Sequence, residues 1–300
     1  MNAALQGAEA IRSWLWVPAE SERKIDKSRA SGGDAVILDL EDGTAPANKD
    51  MGRSIAQAEL KKGGFGASQR WVRVNSPADG NAWHDDLRAV MPAAPDGIVI
   101  PKVSDPDHVK SVHAAMGAFA TLHRVPMPQL AIIVTENASG VLRMRETMAA
   151  VPAGPRGLAA AFWGSEDLSG DLGSISTVDE KGELLDVFRV ARSLFLLEAR
   201  HAGLPAADTP FLGIKDLEGV KRQALAAHRT GFSGMQAIHP DHIAIINAAF
   251  TPTVEEIAAA ERVLAAFATT GGGAVLVNGA MADPPHLRRA RKVLARVRKR

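Results

Sequence analysis

The sequence predicts an α/β protein, a (β/α)8 TIM barrel followed by a C-terminal helical extension. Short apolar runs recur along the chain, segments with helical spacing lie between them, and most of the runs end on a charged or strongly polar side chain. Strands of a parallel sheet are apolar along their length because both faces are covered. Eight alternations of strand and helix favour a closed barrel, whose usual size is about 250 residues. We place the barrel at residues 12–250 and the extension at 251–300.

The elements follow from the apolar periodicity in chain order. Strands are predicted at residues 14–17, 35–40, 71–74, 97–100, 130–135, 158–163, 206–208 and 236–238, of which the seventh is weakest. Helices are predicted between them at 22–31, 49–62, 105–117, 139–151, 183–201 and 216–230. An open doubly wound sheet is the alternative, but it normally shows fewer strands and a glycine-rich phosphate loop near its start.

The extension is predicted to contain a helix at 254–268, a short strand at 274–277 and a last helix at 284–300. The last helix has an apolar stripe and a strongly basic opposite face. We expect that basic face to be solvated or to contact a neighbouring subunit.

Composition excludes several classes of function. The 300 residues carry a net charge of +1, too small a field to imply nucleic acid or membrane as a partner. Cysteine is absent, which excludes disulfides, thiolate nucleophiles and cysteine-ligated metals. No apolar run approaches the roughly 20 residues that span a bilayer, and residues 1–10 do not resemble a signal peptide. We therefore expect a cytoplasmic protein. P-loop, H-E-x-x-H and G-x-S-x-G motifs do not occur.

Polar residues at the predicted strand ends form the candidate site. The C-terminal strand ends of a barrel open onto one rim, where active sites are built. The predicted rim carries Glu41, Asp42, Arg73, Asn75, Lys102, Glu136, Asp167, Asp208 and His239. Asp208 is interpreted as a turn or capping residue, and Asp39 as a residue that satisfies backbone groups.

Glu136 and Asp167 are the strongest candidates for metal ligands. Two carboxylates with no neighbouring cysteine or histidine are hard oxygen ligands suited to Mg²⁺. The ion takes one or two protein carboxylates and fills its other positions with water and substrate oxygens. Arg73 would supply a fixed fork for a substrate carboxylate or a developing enolate oxygen. The alternative is that Glu136 pairs with a basic residue and Asp167 caps a turn.

Ordered blocks between about residues 12 and 294 also carry a resemblance to a known family. They are Arg12-Ser13-x-Leu15-x-Val17-Pro18, residues 34–42, Val72-Arg73-Val74-Asn75, Pro101-Lys102, Glu136-x-Ala138-x-Gly140-Val141, Gly164-x-Glu166-Asp167-Leu168-x-x-Asp171-Leu172-Gly173, Asp208-Thr209-Pro210, Ala237-Ile238-His239-Pro240 and Met281-x-Asp283-x-Pro285-His286. Together they resemble the citrate lyase beta-subunit and malyl-CoA lyase family of the HpcH/HpaI aldolase superfamily.

The resemblance implies a Mg²⁺-dependent lyase on a (β/α)8 barrel. Such an enzyme would cleave a 3-hydroxy-carboxyacyl thioester, of citryl, malyl or citramalyl type, to a keto acid and an acyl thioester. The thioester carrier would be coenzyme A or an acyl-carrier protein. The resemblance also implies a homo-oligomer, a trimer or hexamer.

The same resemblance implies roles for individual residues. It assigns the metal to Glu136 and Asp167, and substrate binding and enolate stabilisation to Arg73. Glu41 and Asp42 match an acidic pair that holds metal-bound water.

Two further residues complete the set. Asp283 matches a catalytic aspartate that reaches an adjacent subunit's site from a C-terminal lid. We count Lys102, with Glu41 and Glu136, among the substrate-binding candidates and Asp42 among the catalytic ones.

The chain departs from the family pattern at Ala19, where glycine is frequent, and at Met235-Gln236, where a basic residue is usual. Two other functions stay open at this point. One is a class II pyruvate aldolase acting on free hydroxy-keto acids, and the other is a non-catalytic subunit of a citrate lyase complex.

Overall fold

A computed structural model of the protein describes residues 11–268 and 273–297. Eight parallel strands form a closed barrel in chain order, and β8 pairs with β1 to close it. The strands are β1 (Ser13–Pro18), β2 (Ala35–Asp39), β3 (Gln69–Arg73), β4 (Gly97–Ile100), β5 (Gln129–Ile133), β6 (Leu158–Phe162), β7 (Ala206–Asp208) and β8 (Gly234–Ala237). The predicted fold class is confirmed, and each predicted strand lies within two residues of an observed one at both ends.

The helices on the outside of the barrel begin in the loops that follow the strands. They are α1 (Glu22–Arg29), α2 (Lys49–Lys62), α3 (Ala82–Val90), α4 (Pro106–His123), α5 (Ala138–Leu142), α6 (Met144–Met148), α7 (Glu166–Leu172), α8 (Asp186–His201), α9 (Leu217–Thr230) and α10 (Asp241–Ala249). The segment predicted as one helix at 139–151 is two short helices, α5 and α6, which meet at Arg143. Helices α3, α7 and α10 were not predicted.

Aromatic side chains fill the barrel interior. The indole ring of Trp14 makes edge-to-face contacts with Trp71 and Phe162, at centroid distances of 5.0 and 4.8 Å. Gly97 on β4 makes room for this packing, since a Cβ atom there would lie 2.2 Å from the Trp71 ring. The half-buried Trp16 lies two residues further along β1 and packs against the same core.

The chain divides into two compact units between Asn247 and Ala248. The second unit contains α11 (Val254–Ala268), the antiparallel hairpin of β9 (Val275–Val277) and β10 (Ala280–Ala282), and α12 (Pro284–Ala295). Asn278 and Gly279 join the two strands with φ angles of 51° and 79°, the positive values that a tight hairpin turn requires. Strand β10 was not predicted, and residues 298–300 of the predicted last helix lie outside the described residues.

The stretch Asp241–Ala268 is long and apolar enough to cross a membrane by length and composition alone. It consists of α10 and α11, which Phe250–Thr253 separates. Ile243 and Ile246 of α10 are fully buried, so the stretch is weak evidence for a membrane span.

Candidate active site

Arg73 at the end of β3 is held on three sides at the carboxyl rim of the barrel. Its Nε and Nη2 donate to the two carboxylate oxygens of Asp39, at 2.7 and 2.5 Å. Its Nη1 lies 3.0 Å from Oε2 of Glu41, and its guanidinium carbon lies 4.8 Å from the ring centre of Trp16. Burial disfavours the charged guanidinium, but Asp39 and Glu41 outweigh it and raise the pKa of Arg73. The arginine is therefore a permanently charged and rigidly oriented donor.

Asp39 has two structural roles, of which only one was predicted from the sequence. It accepts hydrogen bonds from the backbone N–H groups of Glu41 and Gly43 at 2.9 and 3.0 Å, as expected. Its bidentate ion pair with Arg73 was missed. The signal was the alternation of β2, since Asp39 shares a face with Ile37, which lies in the core inside the barrel.

Lys102 joins the acidic residues of the rim. Its Nζ lies 2.5 Å from Oε1 of Glu41 and 2.9 Å from Oδ2 of Asp42. Burial raises the pKa of Glu41, although Arg73 and Lys102 oppose the shift. Burial would also raise the pKa of Asp42, but the hydrogen bond from Lys102 and further partners lower it. For Lys102, burial disfavours the ammonium charge, yet the two carboxylates raise its pKa.

The backbone of Lys102 extends this network of ion pairs and hydrogen bonds to Glu136. Lys102 has a left-handed φ of 51°, and its N–H donates to Oε2 of Glu136 at 2.5 Å. Glu136 is only 6% exposed. Burial raises its pKa well above the usual range, with Arg73 opposing the shift and the charge of Asp167 adding to it. The negative charge of Asp167 thus opposes ionisation of Glu136.

Asp167 reaches the site from a helix rather than from a strand end. It is an exposed residue in the first turn of α7, and the prediction that it ends β6 is wrong. The loops after β5 and β6 are joined where Gly164 donates to the Thr135 hydroxyl at 2.9 Å and accepts a hydrogen bond back from it.

The carboxylates of Glu136 and Asp167 fit a bound Mg²⁺. A dication beside them would relieve their mutual repulsion and favour the ionised form of buried Glu136. Within the described ranges, no cluster of three or more acidic, histidine or cysteine side chains could hold a metal ion. The remaining coordination positions would belong to water and substrate, as is common for Mg²⁺.

Three predicted rim residues are engaged elsewhere. Asn75 donates its backbone and side-chain N–H groups to buried Asp86, at 2.6 and 2.7 Å. Asp208 is buried in a bidentate ion pair with Arg192 of α8, and His239 lies 3.5 Å from Asp241. All three have structural partners.

Asp283 lies in the second unit, where it is the N-cap residue of α12. Its Oδ1 lies 2.6 Å from Nδ1 of His286. The hydrogen bond with His286 lowers the pKa of Asp283, an acid that is already ionised at neutral pH without it.

Gln236 was not predicted as part of the site, although the sequence marked it as a departure from the family pattern. Its side-chain amide donates to the carbonyls of Trp163 and Asp208, at 2.7 and 3.1 Å, and accepts from Nε1 of Trp16 at 3.1 Å. Gln236 therefore fixes the orientation of the indole that lies against Arg73.

A closed parallel barrel with a buried arginine, a lysine and five carboxylates at its carboxyl rim defines an enzyme of the (β/α)8-barrel class. Residues 12–240 match the HpcH/HpaI aldolase/citrate lyase family, and residues 199–299 match the family of C-C bond lyases of the TIM-barrel fold. The chain belongs to the HpcH/HpaI aldolase/citrate lyase family, as predicted.

Individual relatives cover nearly the whole chain. Mitochondrial citramalyl-CoA lyase of Rattus norvegicus is 32% identical over 94% of this chain and 85% of its own length. A (3S)-malyl-CoA thioesterase of Cereibacter sphaeroides is 33% identical over 96% of this chain and 95% of its own. The structure of CitE from Mycobacterium tuberculosis with magnesium, acetoacetate and coenzyme A has a TM-score of 0.79 and 31% identity, covering 96% and 98% of the two chains. The comparisons confirm the predicted enzyme class, a carbon–carbon lyase of the aldolase type.

Proposed function

We propose that this protein is a Mg²⁺-dependent carbon–carbon lyase that cleaves a 3-hydroxy-carboxyacyl-CoA thioester of citramalyl or malyl type to a keto acid and an acyl-CoA. The observation that carries the proposal is the fixed guanidinium of Arg73 among Asp39, Glu41 and Trp16. The similarity to a citramalyl-CoA lyase, and to a CitE structure that holds magnesium and coenzyme A, supports the substrate class and the metal.

The reaction is a retro-Claisen cleavage. The 3-hydroxyl group loses its proton, the bond between C2 and C3 breaks, and the hydroxyl carbon becomes the carbonyl of the keto acid. The bonding electron pair passes into the thioester as an enolate, which takes up a proton to give the acyl-CoA. Arg73 stabilises the oxygen charge because its donors are oriented before the reaction begins, an effect typically worth about 2.7–4 kcal/mol per donor.

The remaining roles in the reaction belong to the carboxylates around Arg73 and to Lys102. Glu136 and Asp167 would hold Mg²⁺, which supplies positive charge for the hydroxyl and carboxylate oxygens of the substrate. Glu41 orients Arg73 from a second side, and Lys102 balances the charges of Glu41 and Asp42.

We assign the role of proton acceptor to Asp283, because the family resemblance implies an aspartate that reaches the site from an adjacent subunit. The Asp283 carboxylate is ionised at neutral pH, as an ordinary aspartate is, and the hydrogen bond with His286 lowers its pKa further. The Asp283→Asn variant should therefore lose turnover while it still binds substrate. The homo-oligomeric state and the cytoplasmic location stay predictions.

A product assay tests the function. The purified protein is incubated with Mg²⁺ and citramalyl-, malyl- or citryl-CoA, and the products are separated by chromatography. A keto acid together with an acyl-CoA supports the lyase. Release of free coenzyme A with an intact hydroxy acid would instead indicate a thioesterase, the activity for which the Cereibacter relative is named. Cleavage of free hydroxy-keto acids alone would indicate the class II aldolase.

A further inference from the structure

Lys49 places a positive charge where the electrostatics of its own helix do not favour one. It is the first residue of α2, and the positive end of the helix dipole lies there. Burial lowers the pKa of Lys49, although the charges of Glu41, Asp86 and Asp39 oppose the shift. A half-buried cation at a helix N-terminus therefore indicates a partner outside the helix.

The partner of Lys49 is the loop that follows β2. Its Nζ donates to the backbone carbonyls of Leu40 and Glu41, both at 2.7 Å. Leu40 is fully buried, and Glu41 is buried as well. A buried carbonyl that loses its donor destabilises the structure around it. One ammonium group thus holds two consecutive peptide groups directly after the end of β2.

The rest of this loop folds tightly on the residues that Lys49 holds. The Thr44 N–H donates to the Glu41 carbonyl at 3.0 Å, and the Thr44 hydroxyl donates to the Asp39 carbonyl at 2.6 Å. Gly43 permits the close approach, because a Cβ atom there would lie 2.3 Å from the Asp39 carboxylate. Lys49 therefore fastens a compact loop to the start of α2.

The same loop carries a carboxylate that orients both cations of the rim. The Glu41 carboxylate lies 3.0 Å from Nη1 of Arg73 and 2.5 Å from Nζ of Lys102. A shift of the Glu41 backbone would move this carboxylate and disturb the Arg73 guanidinium beside it. A misplacement of about 1 Å at an active site can lower the rate by about 10²-fold.

We propose that Lys49 is a positioning residue of the active site, which fixes the backbone of Glu41 so that the Glu41 carboxylate orients Arg73 and Lys102. The inference rests on the proposed lyase function, because it concerns the same site. In this role Lys49 acts through Glu41 and does not touch the substrate. Its loss should lower kcat much more than it raises KM, the pattern expected for an interaction that acts in the transition state.

Steady-state kinetics with Mg²⁺ and the thioester that the wild type cleaves test this role. Lys49→Met removes the ammonium and should lower kcat by about 10²-fold. Gln57→Met is the matched control on the same helix, since Gln57 donates to the carbonyl of Ala89 at 2.5 Å, near the C-terminal end of α3. It should keep the wild-type kcat. A Lys49→Met protein with the wild-type kcat would overturn the proposal, as would an equal loss in the control.

Alkylation of a cysteine at position 49 tests the ammonium itself. Because the chain has no cysteine, Lys49→Cys carries a single thiol. Bromoethylamine converts it to an ammonium side chain of the length of lysine, and iodopropane gives an uncharged side chain of the same length. The aminoethyl protein should regain most of the wild-type kcat, whereas the propyl protein should stay as slow as Lys49→Met. Equal rates in the two alkylated proteins would refute the role of the ammonium.

Hydrogen exchange separates this inference from the lyase function. In Lys49→Met the amides of the loop at residues 40–44 should exchange on the order of 10-fold faster than in the wild type, and Gln57→Met should leave them unchanged. A wild type that cleaves none of the CoA thioesters would refute the lyase function, while faster exchange would still support the hold of Lys49 on the loop. Unchanged exchange in Lys49→Met would overturn the inference whatever the wild type cleaves.

Discussion

Replacing Asp39 by Asn should separate the orientation of Arg73 from the folding of the barrel. The Asp39 carboxylate accepts four N–H groups: two from the guanidinium at 2.7 and 2.5 Å, and two from the backbone of Glu41 and Gly43 at 2.9 and 3.0 Å. An asparagine of the same size offers one oxygen and turns an NH₂ group toward the remaining donors. The side chain therefore cannot satisfy the guanidinium and the loop at once.

The expected loss of unfolding free energy follows from the number of N–H donors left without an acceptor. At least two of the four N–H groups lose their partner, and each unmatched buried donor costs about 1–3 kcal/mol. Glu41 still faces Arg73 at 3.0 Å and compensates part of the loss. We expect Asp39→Asn to lower the free energy of unfolding by about 2–4 kcal/mol. A guanidinium displaced by even 1 Å should lower kcat by about 10²-fold.

Asp34→Asn provides the matched control at the other end of the same strand. Asp34 immediately precedes β2 and is 8% exposed. It pairs with Nε and Nη2 of Arg12, both at 2.9 Å. The control should lose comparable stability in urea denaturation, yet keep the wild-type kcat in the CoA-thioester assay. The reasoning is refuted if Asp39→Asn retains full kcat, or if Asp34→Asn lowers kcat as strongly.

Three further variants test the metal site, the interior and the backbone of the rim. Glu136→Gln should abolish calorimetric Mg²⁺ binding as well as turnover, because a neutral amide replaces a carboxylate ligand; retained binding would remove Glu136 from the metal site. Gly97→Ala should destabilise the protein to urea by about 1–3 kcal/mol, since its Cβ would meet the Trp71 ring. Gly117→Ala, which meets no atom within 4 Å, should be neutral or stabilising by up to about 1 kcal/mol in α4, and equal losses would contradict the packing argument. Lys102→Gly should be more stable to urea than Lys102→Ala by about 1 kcal/mol, because only glycine adopts the left-handed backbone freely; equal stability would argue against strain there.

The barrel was predictable because its strands appear in the sequence as apolar runs of the length typical of a β-strand. The three helices that were not predicted from the sequence, α3, α7 and α10, have seven to nine residues each. Helix α7 has seven residues, including Gly170, and α3 has nine. Helices of that length are not stable alone. They form because tertiary contacts support them, as where buried Asp86 of α3 accepts two hydrogen bonds from Asn75.

The rim as a whole was predictable from topology, since all carboxyl ends of a parallel barrel meet at one face. Which rim residues are available for chemistry was not, because that depends on partners far away in the sequence. Asp208 and Asp39 both end a strand and both form a bidentate pair with an arginine. The arginine of Asp208 is Arg192 on an outer helix, whereas that of Asp39 lies on the adjacent strand.

That difference in partner decides the function of each aspartate. The Arg192 guanidinium lies 4.5 Å from the ring of buried Phe232, so its pair with Asp208 fastens α8 to β7. The Arg73 guanidinium instead lies against half-buried Trp16, at the barrel rim beside Glu41. In both cases the aspartate orients a permanent cation, but only Arg73 lies beside the carboxylates proposed to hold Mg²⁺ and substrate. Asp39 and Asp208 each end an apolar strand, yet they differ in role because the fold places a different arginine beside each.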